Sequence, residues 1–290
     1  MHLTGVGICG PELRYGDDGE RADAATELEA LGFTALWLPD RGGDLFGPLR
    51  TLLDATGSIT VASGILNIWL HDPAEVARRF AEIEIAHPGR LLLGLGVGHA
   101  PLVDRTTEPG RYQRPLAAMQ RFLDALDRAD TPVPVGRRVI GALSPLMFAL
   151  ARARTAGAFA NLVPPAHTAS ARAAVGTDAF LAVEQHAVLD TDPTSARATA
   201  RATLASYFGL PNYVNNWRAL GFGDDDLVDG GSDRLVDSIV VWGDEAAIAT
   251  RVREHLDAGA DHVGVRIDPP PSQPGLPWAA WRALAPAVNG

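Results

Sequence analysis

The chain of 290 residues carries a net charge of −10 and is 47% hydrophobic, a composition typical of a globular protein with a large core. The negative charge argues against nucleic acid or an anionic membrane as a partner, and no apolar run reaches the ~18 residues that span a bilayer. All 25 basic residues are arginine. The absence of lysine excludes a Schiff-base lysine and a Walker A phosphate loop.

Cysteine content and the first residues bear on the compartment. A single cysteine, Cys9, excludes a disulfide framework within the chain. The opening residues MHLTGVGICG lack the basic and then apolar pattern of a signal peptide. We therefore expect a cytoplasmic protein.

Short apolar segments alternate with helical segments along the whole chain. Several predicted helices end on a glycine that leads into a strand. Three begin with a capping side chain before a proline, at Asp72-Pro73, Ser144-Pro145 and Asp192-Pro193. Eight strands are predicted in this way, at residues 3–9, 34–38, 59–68, 91–97, 138–143, 158–163, 180–189 and 261–267. The alternation predicts a single α/β domain over residues 1–290, a (βα)₈ TIM barrel, with an open doubly wound sheet as the alternative.

The most informative segment is residues 59–101. It predicts a buried strand, a helix capped by Asp72, and a second buried strand that ends in the glycine-rich turn 96–100. Glu75, three residues after the cap, predicts a capping box. Because α/β folds hold ligands at the carboxyl ends of their strands, the glycine-rich turn predicts a binding site.

A long segment interrupts the simple repeat. It lies between the predicted helix near 193–208 and the last predicted helix near 244–258, and it is too long for an ordinary connection. We predict an insertion over about residues 209–240, before the last helix. Its residues Asn212 and Tyr213 are candidates for lining a substrate pocket. A self-packed excursion or a subunit contact is the alternative, and the sequence leaves both open.

Several segments together carry a resemblance to a known family: ITVASGILNIW with the Asp-Pro helix start, GLGVGHAPL, LPNYVNNWRALGF and WGDEAAIATRVREHLDAGADHV. In order and spacing they resemble the luciferase-like monooxygenase superfamily, and within it the bacterial deazaflavin (coenzyme F420)-dependent oxidoreductases. The resemblance covers nearly the whole chain. It implies a TIM barrel of the bacterial luciferase-like type, with a deazaflavin or a flavin lying in its C-terminal mouth.

The resemblance also implies how the third strand meets the cofactor. In such proteins this strand carries a bulge with a non-prolyl cis peptide against the central ring. By position that bond is Gly64-Ile65, with Ser63-Gly64 as second choice and an ordinary trans bulge as the alternative. Asn67, further along the strand, is expected to touch the edge of the ring.

The start of the helix after strand five is a candidate phosphate site. Free backbone N–H groups and the helix dipole favour an anion at Ser144-Pro145-Leu146. Many family members carry a lysine where Leu146 stands. Gly98 and Ala100 would let the backbone of another loop approach the same cofactor tail. A plain helix cap is the alternative.

Three residues are candidates for catalysis: His99, Asp40 and Glu184. Related sugar-phosphate dehydrogenases have a glutamate, thought to donate a proton, at the place of His99, and a histidine suits that role. Asp40 could polarise a substrate hydroxyl, although the catalytic histidine of many relatives is missing from this region. A carboxylate within the apolar seventh strand must pair or face a pocket, so either Glu184 or His186 is expected in the mouth, with Glu184 the better candidate.

Two further residues complete the predicted substrate pocket. Arg41 could hold an acidic group, and Trp69, on the same face of strand three as Asn67, could touch the substrate. For each candidate a structural role, as an ion pair, a cap or a core residue, is the alternative.

The sequence therefore predicts an oxidoreductase that transfers a hydride between coenzyme F420 and a small organic substrate. The alternatives are an FMN-dependent luciferase-like monooxygenase and a non-catalytic cofactor-binding relative. A metal site is not predicted, because the eight histidines are scattered and no His-x-His pair occurs. The family resemblance implies a homodimer.

Overall fold

The computed structural model describes residues 3–270 and 275–289. The described residues form nine strands, and every pair of neighbouring strands is parallel. The strands are β1 Gly5–Cys9, β2 Ala35–Leu38, β3 Thr60–Asn67, β4 Leu91–Gly96, β5 Arg138–Gly141, β6 Gly157–Asn161, β7 Phe180–Leu189, β8 Val240–Gly243 and β9 His262–Ile267.

Helices follow the strands in alternation. In the described part of the chain they are α1 Glu12–Tyr15, α2 Asp18–Ala30, α3 Phe46–Asp54, α4 Pro73–Ala86, α5 Ala100–Thr106, α6 Pro115–Arg128, α7 Pro145–Arg154, α8 Pro165–Val175, α9 Pro193–Leu204, α10 Pro211–Ala219, α11 Asp233–Ile239, α12 Glu245–Asp257 and α13 Trp278–Asn289. None of these helices is long and apolar enough to cross a membrane.

Eight of the strands close into a ring. Strands β1 to β7 pair in chain order, and β9 joins β7 back to β1. The predicted TIM barrel is therefore confirmed, and all eight predicted strands are present with ends shifted by a few residues.

Strand β8 was not predicted. It pairs with the C-terminal half of β7, from His186 onward, while β6 pairs with β7 only as far as Glu184. Its four residues lie directly after α11 at the end of the predicted insertion, where the apolar run is too short to stand out as a strand.

The prediction that the last helix lies near 244–258 was wrong. That segment is α12, but α13 follows β9 and packs against α12 and β1. Trp281 of α13 is buried. A proline inside this helix, Pro286, obscures its helical pattern in the sequence.

Helix starts agree with the capping predictions at three βα joints. Asp72 accepts hydrogen bonds from two backbone N–H groups at the start of α4, Asp192 does the same for α9, and Ser144 caps α7. The predicted capping box at Glu75 was wrong, because its carboxylate pairs with Arg78 one turn further along the helix surface.

The packing of β3 against β4 shapes the carboxyl ends of these two strands. The strand register shifts between Ser63 and Leu66, so that β3 bulges toward β4. The Ile65 side chain then occupies the space over two glycines of β4. A Cβ atom at Gly96 would lie 2.5 Å from Ile65 Cγ1 and closer still to Cδ1, and one at Gly94 would overlap the carbonyl oxygen of Ser63. These glycines therefore make room for the bulge.

We expect Gly96→Ala to lower the free energy of unfolding by about 1–3 kcal/mol, because the added methyl group overpacks the space filled by Ile65. Urea unfolding followed by circular dichroism measures the change. Gly136→Ala is the matched control, since a Cβ at Gly136 meets nothing within 4 Å. Equal stability of the two variants would contradict this account of β4.

The predicted insertion packs on the barrel through a core of its own. Tyr213 and Trp217 of α10 and Leu235 of α11 are buried with residues of α9 and β8. The indole N–H of Trp217 donates to the carbonyl oxygen of Leu162 at 3.2 Å, just beyond the end of β6. The segment is thereby anchored at the carboxyl ends of the strands.

Candidate active site

A cavity of about 970 Å³ opens at the carboxyl ends of the barrel strands. Its wall comes from strand ends, from the loops that follow β2 and β4, from the start of α7, and from the segment around α10. Residues of the predicted insertion therefore line the pocket, which was one of the two interpretations that the sequence left open. The segment also packs on a core of its own, which was part of the other interpretation.

The floor of the cavity is apolar. It includes Ile65, Trp37 and Phe159, and the Gly64-Ile65 peptide bond is cis, as the family resemblance implied. Trp37 stacks on Phe159 with ring centroids 4.5 Å apart. Its indole N–H donates to Nε2 of His262 at 3.1 Å. Burial lowers the pKa of His262 to about 4, so the ring is neutral and able to accept this bond.

Asp40 lies in the wall with its carboxylate fully engaged. Its side chain accepts from the backbone N–H groups of Gly42 and Asn67, both at 2.9 Å, and lies 2.7 Å from Nε2 of His71. Burial favours a raised pKa for Asp40, but the hydrogen bonds from His71 and the two N–H groups outweigh it and hold the pKa below its usual value. Asp40 is thus an anionic clasp between the ends of β2 and β3.

We expect Asp40→Asn to cost about 2 kcal/mol of stability at pH 7, because a buried carboxylate that accepts several hydrogen bonds is lost. Since the native pKa is lowered, this stabilisation is complete above the unfolded carboxyl pKa of ~3.9 and is lost as the pH falls toward the native pKa. Thermal unfolding across pH measures both effects.

Asp54→Asn is the matched control for this experiment. Asp54 also lies 2.7 Å from a histidine, His87, but its side chain is 55% exposed, and exposed ion pairs contribute little. A loss of stability in Asp54→Asn as large as that in Asp40→Asn would sink the clasp interpretation.

His99 joins the loop after β4 to the segment around α10. Its Nδ1 lies 3.0 Å from Oδ1 of Asn212, and its ring lies 5.4 Å from that of Tyr213. Burial lowers the pKa of His99 more than the hydrogen bond with Asn212 raises it. The imidazole is therefore neutral at neutral pH, and with Nδ1–H donated to Asn212 its Nε2 is a proton acceptor.

Glu184, on β7, lies in another part of the wall. Its residue is 7% exposed, and its carboxylate makes no hydrogen bond to any residue in the described ranges. His186 lies behind it with Nε2 3.6 Å from Oε1, and Arg266 of β9 lies beside it with Nη1 3.8 Å from Oε1. Residues two apart on a strand share a face, so Glu184 and His186 are neighbours here rather than alternatives.

The start of α7 faces the cavity. Ser144 caps the helix through the backbone N–H of Met147, and Ser144, Pro145 and Met147 all line the wall. Leu146 points away from the wall and is 68% exposed. Nearby amide atoms, Oδ1 of Asn161 and Nδ2 of Asn216, lack hydrogen-bond partners among the residues that the structure describes.

Most of the predicted site residues lie in the cavity wall. Those brought together there are Asp40, Arg41, Gly64, Ile65, Asn67, Gly98, His99, Ser144, Pro145, Glu184, Asn212 and Tyr213.

Four predicted residues lie outside the wall: Ser63, Trp69, Ala100 and Leu146. Ser63 is buried and donates to the carbonyl oxygen of Gly94. Trp69 lies past the end of β3, so it does not share a strand face with Asn67. Its indole N–H donates to the carbonyl oxygen of Val97 at 2.7 Å and supports the glycine-rich turn.

The sequence interpretation missed other residues at the site. They are His71, which holds Asp40, and the wall residues Arg105, Tyr112, Asn161, Tyr207 and Arg266. Asn161 and Arg266 lie near the ends of predicted strands, and that position alone could have marked them as candidates. The others lie in helices and loops, where no sequence pattern predicts that a side chain faces the cavity.

A parallel eight-stranded barrel with a cofactor-sized cavity at its C-terminal mouth defines a TIM-barrel protein with an enzyme-like site. The luciferase-like monooxygenase family matches residues 17–262, and the chain belongs to this family.

Curated relatives match part of the chain. An F420-dependent hydroxymycolic acid dehydrogenase of Mycobacterium tuberculosis is 33% identical over 105 residues, which cover 32% of this chain and 29% of that protein. An uncharacterized protein of the same organism is 31% identical over 106 residues, covering 36% of this chain and 31% of that protein. The match thus spans about a third of the length of these relatives.

Solved structures share the fold over almost the full chain. An F420-dependent secondary alcohol dehydrogenase in complex with an F420-acetone adduct has a TM-score of 0.74 at 16% identity, with 98% of this chain and 99% of that chain covered. The oxygenating constituent of 3,6-diketocamphane monooxygenase from Pseudomonas putida, in complex with FMN, has a TM-score of 0.68 at 14% identity, with 99% of each chain covered.

Proposed function

We propose that the protein is an F420-dependent oxidoreductase that transfers a hydride between a deazaflavin and a small organic substrate. The observation that carries this proposal is the composition of one cavity. An apolar floor at Ile65, a helix start at Ser144 and two proton-exchanging groups, His99 and Glu184, all face the same space.

The size and the lining of the cavity support a deazaflavin bound together with a substrate. Its volume of about 970 Å³ is at the upper end of the ~300–1,000 Å³ of small-molecule sites. Ile65 and Trp37 offer apolar surface to a ring, and the free N–H groups at the start of α7 offer donors to a phosphate. The unpartnered amide atoms of Asn161 and Asn216 add polar groups where a ligand can use them.

A bound deazaflavin supplies a ring carbon that gives or accepts a hydride. The chain has the remaining tasks of orienting the substrate and exchanging its proton. We assign this exchange to Nε2 of His99 and the carboxylate of Glu184, two acceptors on residues that line the cavity. Asp40 already accepts three hydrogen bonds, and we assign it to holding the wall in place.

The comparisons support the choice of cofactor and reaction type. A curated relative is an F420-dependent dehydrogenase, and a structural neighbour with a TM-score of 0.74 is an F420-dependent secondary alcohol dehydrogenase. A second candidate function is an FMN-dependent monooxygenase, favoured by the FMN complex of 3,6-diketocamphane monooxygenase, whose fold is shared at a TM-score of 0.68.

An assay that compares the two cofactors tests the proposal. We expect oxidised F420 to be reduced in the presence of one or more members of a panel of secondary alcohols, or reduced F420 to be oxidised by ketones and enones, without consumption of oxygen. Oxidation of the same compounds with reduced FMN and oxygen, and no turnover with F420, would contradict the proposal and favour the monooxygenase.

A charge placed beside the start of α7 tests where the phosphate binds. We expect Leu146→Lys to tighten F420 binding roughly threefold or more, because the long, flexible lysine side chain can carry its ammonium group from this exposed position to an anion at the helix start. Val135→Lys is the matched control: Val135 is also exposed, but it lies in the turn before β5, at the other end of that strand. Quenching of tryptophan fluorescence measures binding, and equal effects of both variants would show a response to net charge alone.

A further inference from the structure

Glu184 is the first of three titratable side chains that form a line leading away from the cavity. His186 follows on the same face of β7, and Asp268 lies just after β9. Nδ1 of His186 is 2.7 Å from Oδ2 of Asp268, and Nε2 of His186 is 3.6 Å from Oε1 of Glu184. Both His186 and Asp268 are buried, at 0% and 3% exposure.

Asp268 fixes the orientation of the histidine ring. Burial favours a raised pKa for Asp268, but its interaction with His186 and the charge of Arg266 outweigh burial and lower the pKa, so Asp268 is an anion at neutral pH. An anionic carboxylate only accepts hydrogen bonds, and Nδ1 of His186 must therefore donate. Nε2 is left facing Glu184, and it has no hydrogen-bond partner in the described part of the chain.

The formal charges of Glu184, Asp268 and Arg266 leave the cluster one positive charge short of balance. Glu184 and Asp268 bring two carboxylates, and Arg266 brings one guanidinium, with Nε 3.0 Å from Oδ1 of Asp268. A proton transferred from a substrate to Glu184 brings the formal charge of these three side chains to zero. The 3.6 Å between these two groups exceeds a hydrogen bond, so the free carboxylate of Glu184 must turn slightly to make one.

Other titratable or charged groups lie around the cluster. Tyr207 packs edge-on against His186 with ring centroids 6.3 Å apart, and Cys9 lies on the wall nearby. Burial raises the pKa of both, so both keep their protons at neutral pH. Glu12 lies near Arg266 with a pKa raised by burial, and Arg41 adds positive charge from the rim of the mouth.

We propose that Asp268, His186 and Glu184 form a proton relay that opens into the cavity. Glu184 is the group that meets the substrate, and His186 is a positioning residue that acts through it. Oxidation of a substrate alcohol to a carbonyl breaks two bonds. The C–H hydrogen would leave as a hydride with its electron pair, and the deazaflavin of the proposed function would be the acceptor. The O–H electron pair then forms the second C–O bond, and the proton passes to Glu184 and on to Nε2 of His186. Reduction of a carbonyl runs the same transfers backward. The identity of the substrate as an alcohol or carbonyl rests on the proposed function.

The geometry of the relay is testable without any cofactor. In ligand-free protein labelled with ¹⁵N-histidine, we expect Glu184→Gln to shift the Nε2 resonance of His186 more than the resonances of the other seven histidines. The Nδ1–H resonance should stay in place, because Asp268 still accepts it. An unchanged Nε2 resonance would overturn the relay whether or not the protein binds F420.

Kinetics then test the role. We expect His186→Asn to lower kcat at least about tenfold with KM changed by less than about threefold, and to enlarge the solvent deuterium isotope effect. The double variant Glu184→Gln/His186→Asn should lose no more than Glu184→Gln alone, because the two residues act as one unit.

His255→Asn is the matched control, since His255 is as fully buried as His186. Its two ring nitrogens are hydrogen-bonded to Thr168 and Gln185 on the outer side of the barrel, away from the cavity. A normal kcat in His186→Asn, or additive losses in the double variant, would overturn the relay. Absence of turnover with F420 in the wild-type protein would instead refute the proposed function, and the resonance of His186 would still decide the relay. If His186→Asn does not fold, His186→Gln takes its place.

Discussion

The cavity depends on how one side chain, Ile65, fits over the glycines of the neighbouring strands. The bulge of β3 turns Ile65 across Gly96 of β4 and toward Gly141 of β5, where an added Cβ atom would overlap or crowd it. A Cβ atom at Gly94 would overlap the carbonyl oxygen of Ser63 in the same bulge. Because these glycines have no side chains, Ile65 can lie flat over β4 and form an apolar floor, and the ends of the strands form the wall around it. The wall then carries the polar groups, and the floor remains free for a flat ring.

Much of the fold is readable from the sequence because its signals are local. Strands buried on both faces appear as continuous apolar runs, and caps such as Asp72 and Ser144 mark the helix starts directly. The missed elements lack such signals. Strand β8 has four residues and depends on pairing with the far half of β7, and α13 carries an internal proline. Their places are set by tertiary contacts.

The site divides along the same line. Residues at the carboxyl ends of parallel strands must meet at one rim, so positions such as Glu184 and Asn67 could be placed in the mouth from the sequence. Partnerships between them could not. Asp40 pairs with His71, 31 residues away, and His186 pairs with Asp268, 82 residues away. Because of its partner, Asp40, a candidate for polarising a substrate hydroxyl, has a structural role between β2 and β3. The pair of His186 and Asp268 places a histidine behind Glu184, on the side away from the cavity.

Whether the cavity binds a deazaflavin, as we propose, is decided by a side-by-side titration of the purified protein with oxidised coenzyme F420 and with FMN. The six tryptophans, among them Trp37 on the cavity floor, report binding through quenching of their fluorescence. We predict micromolar affinity for F420 and at least about tenfold weaker binding of FMN, which is a difference of ~1.4 kcal/mol in binding free energy. Tighter binding of FMN, or binding of neither cofactor, would contradict this prediction.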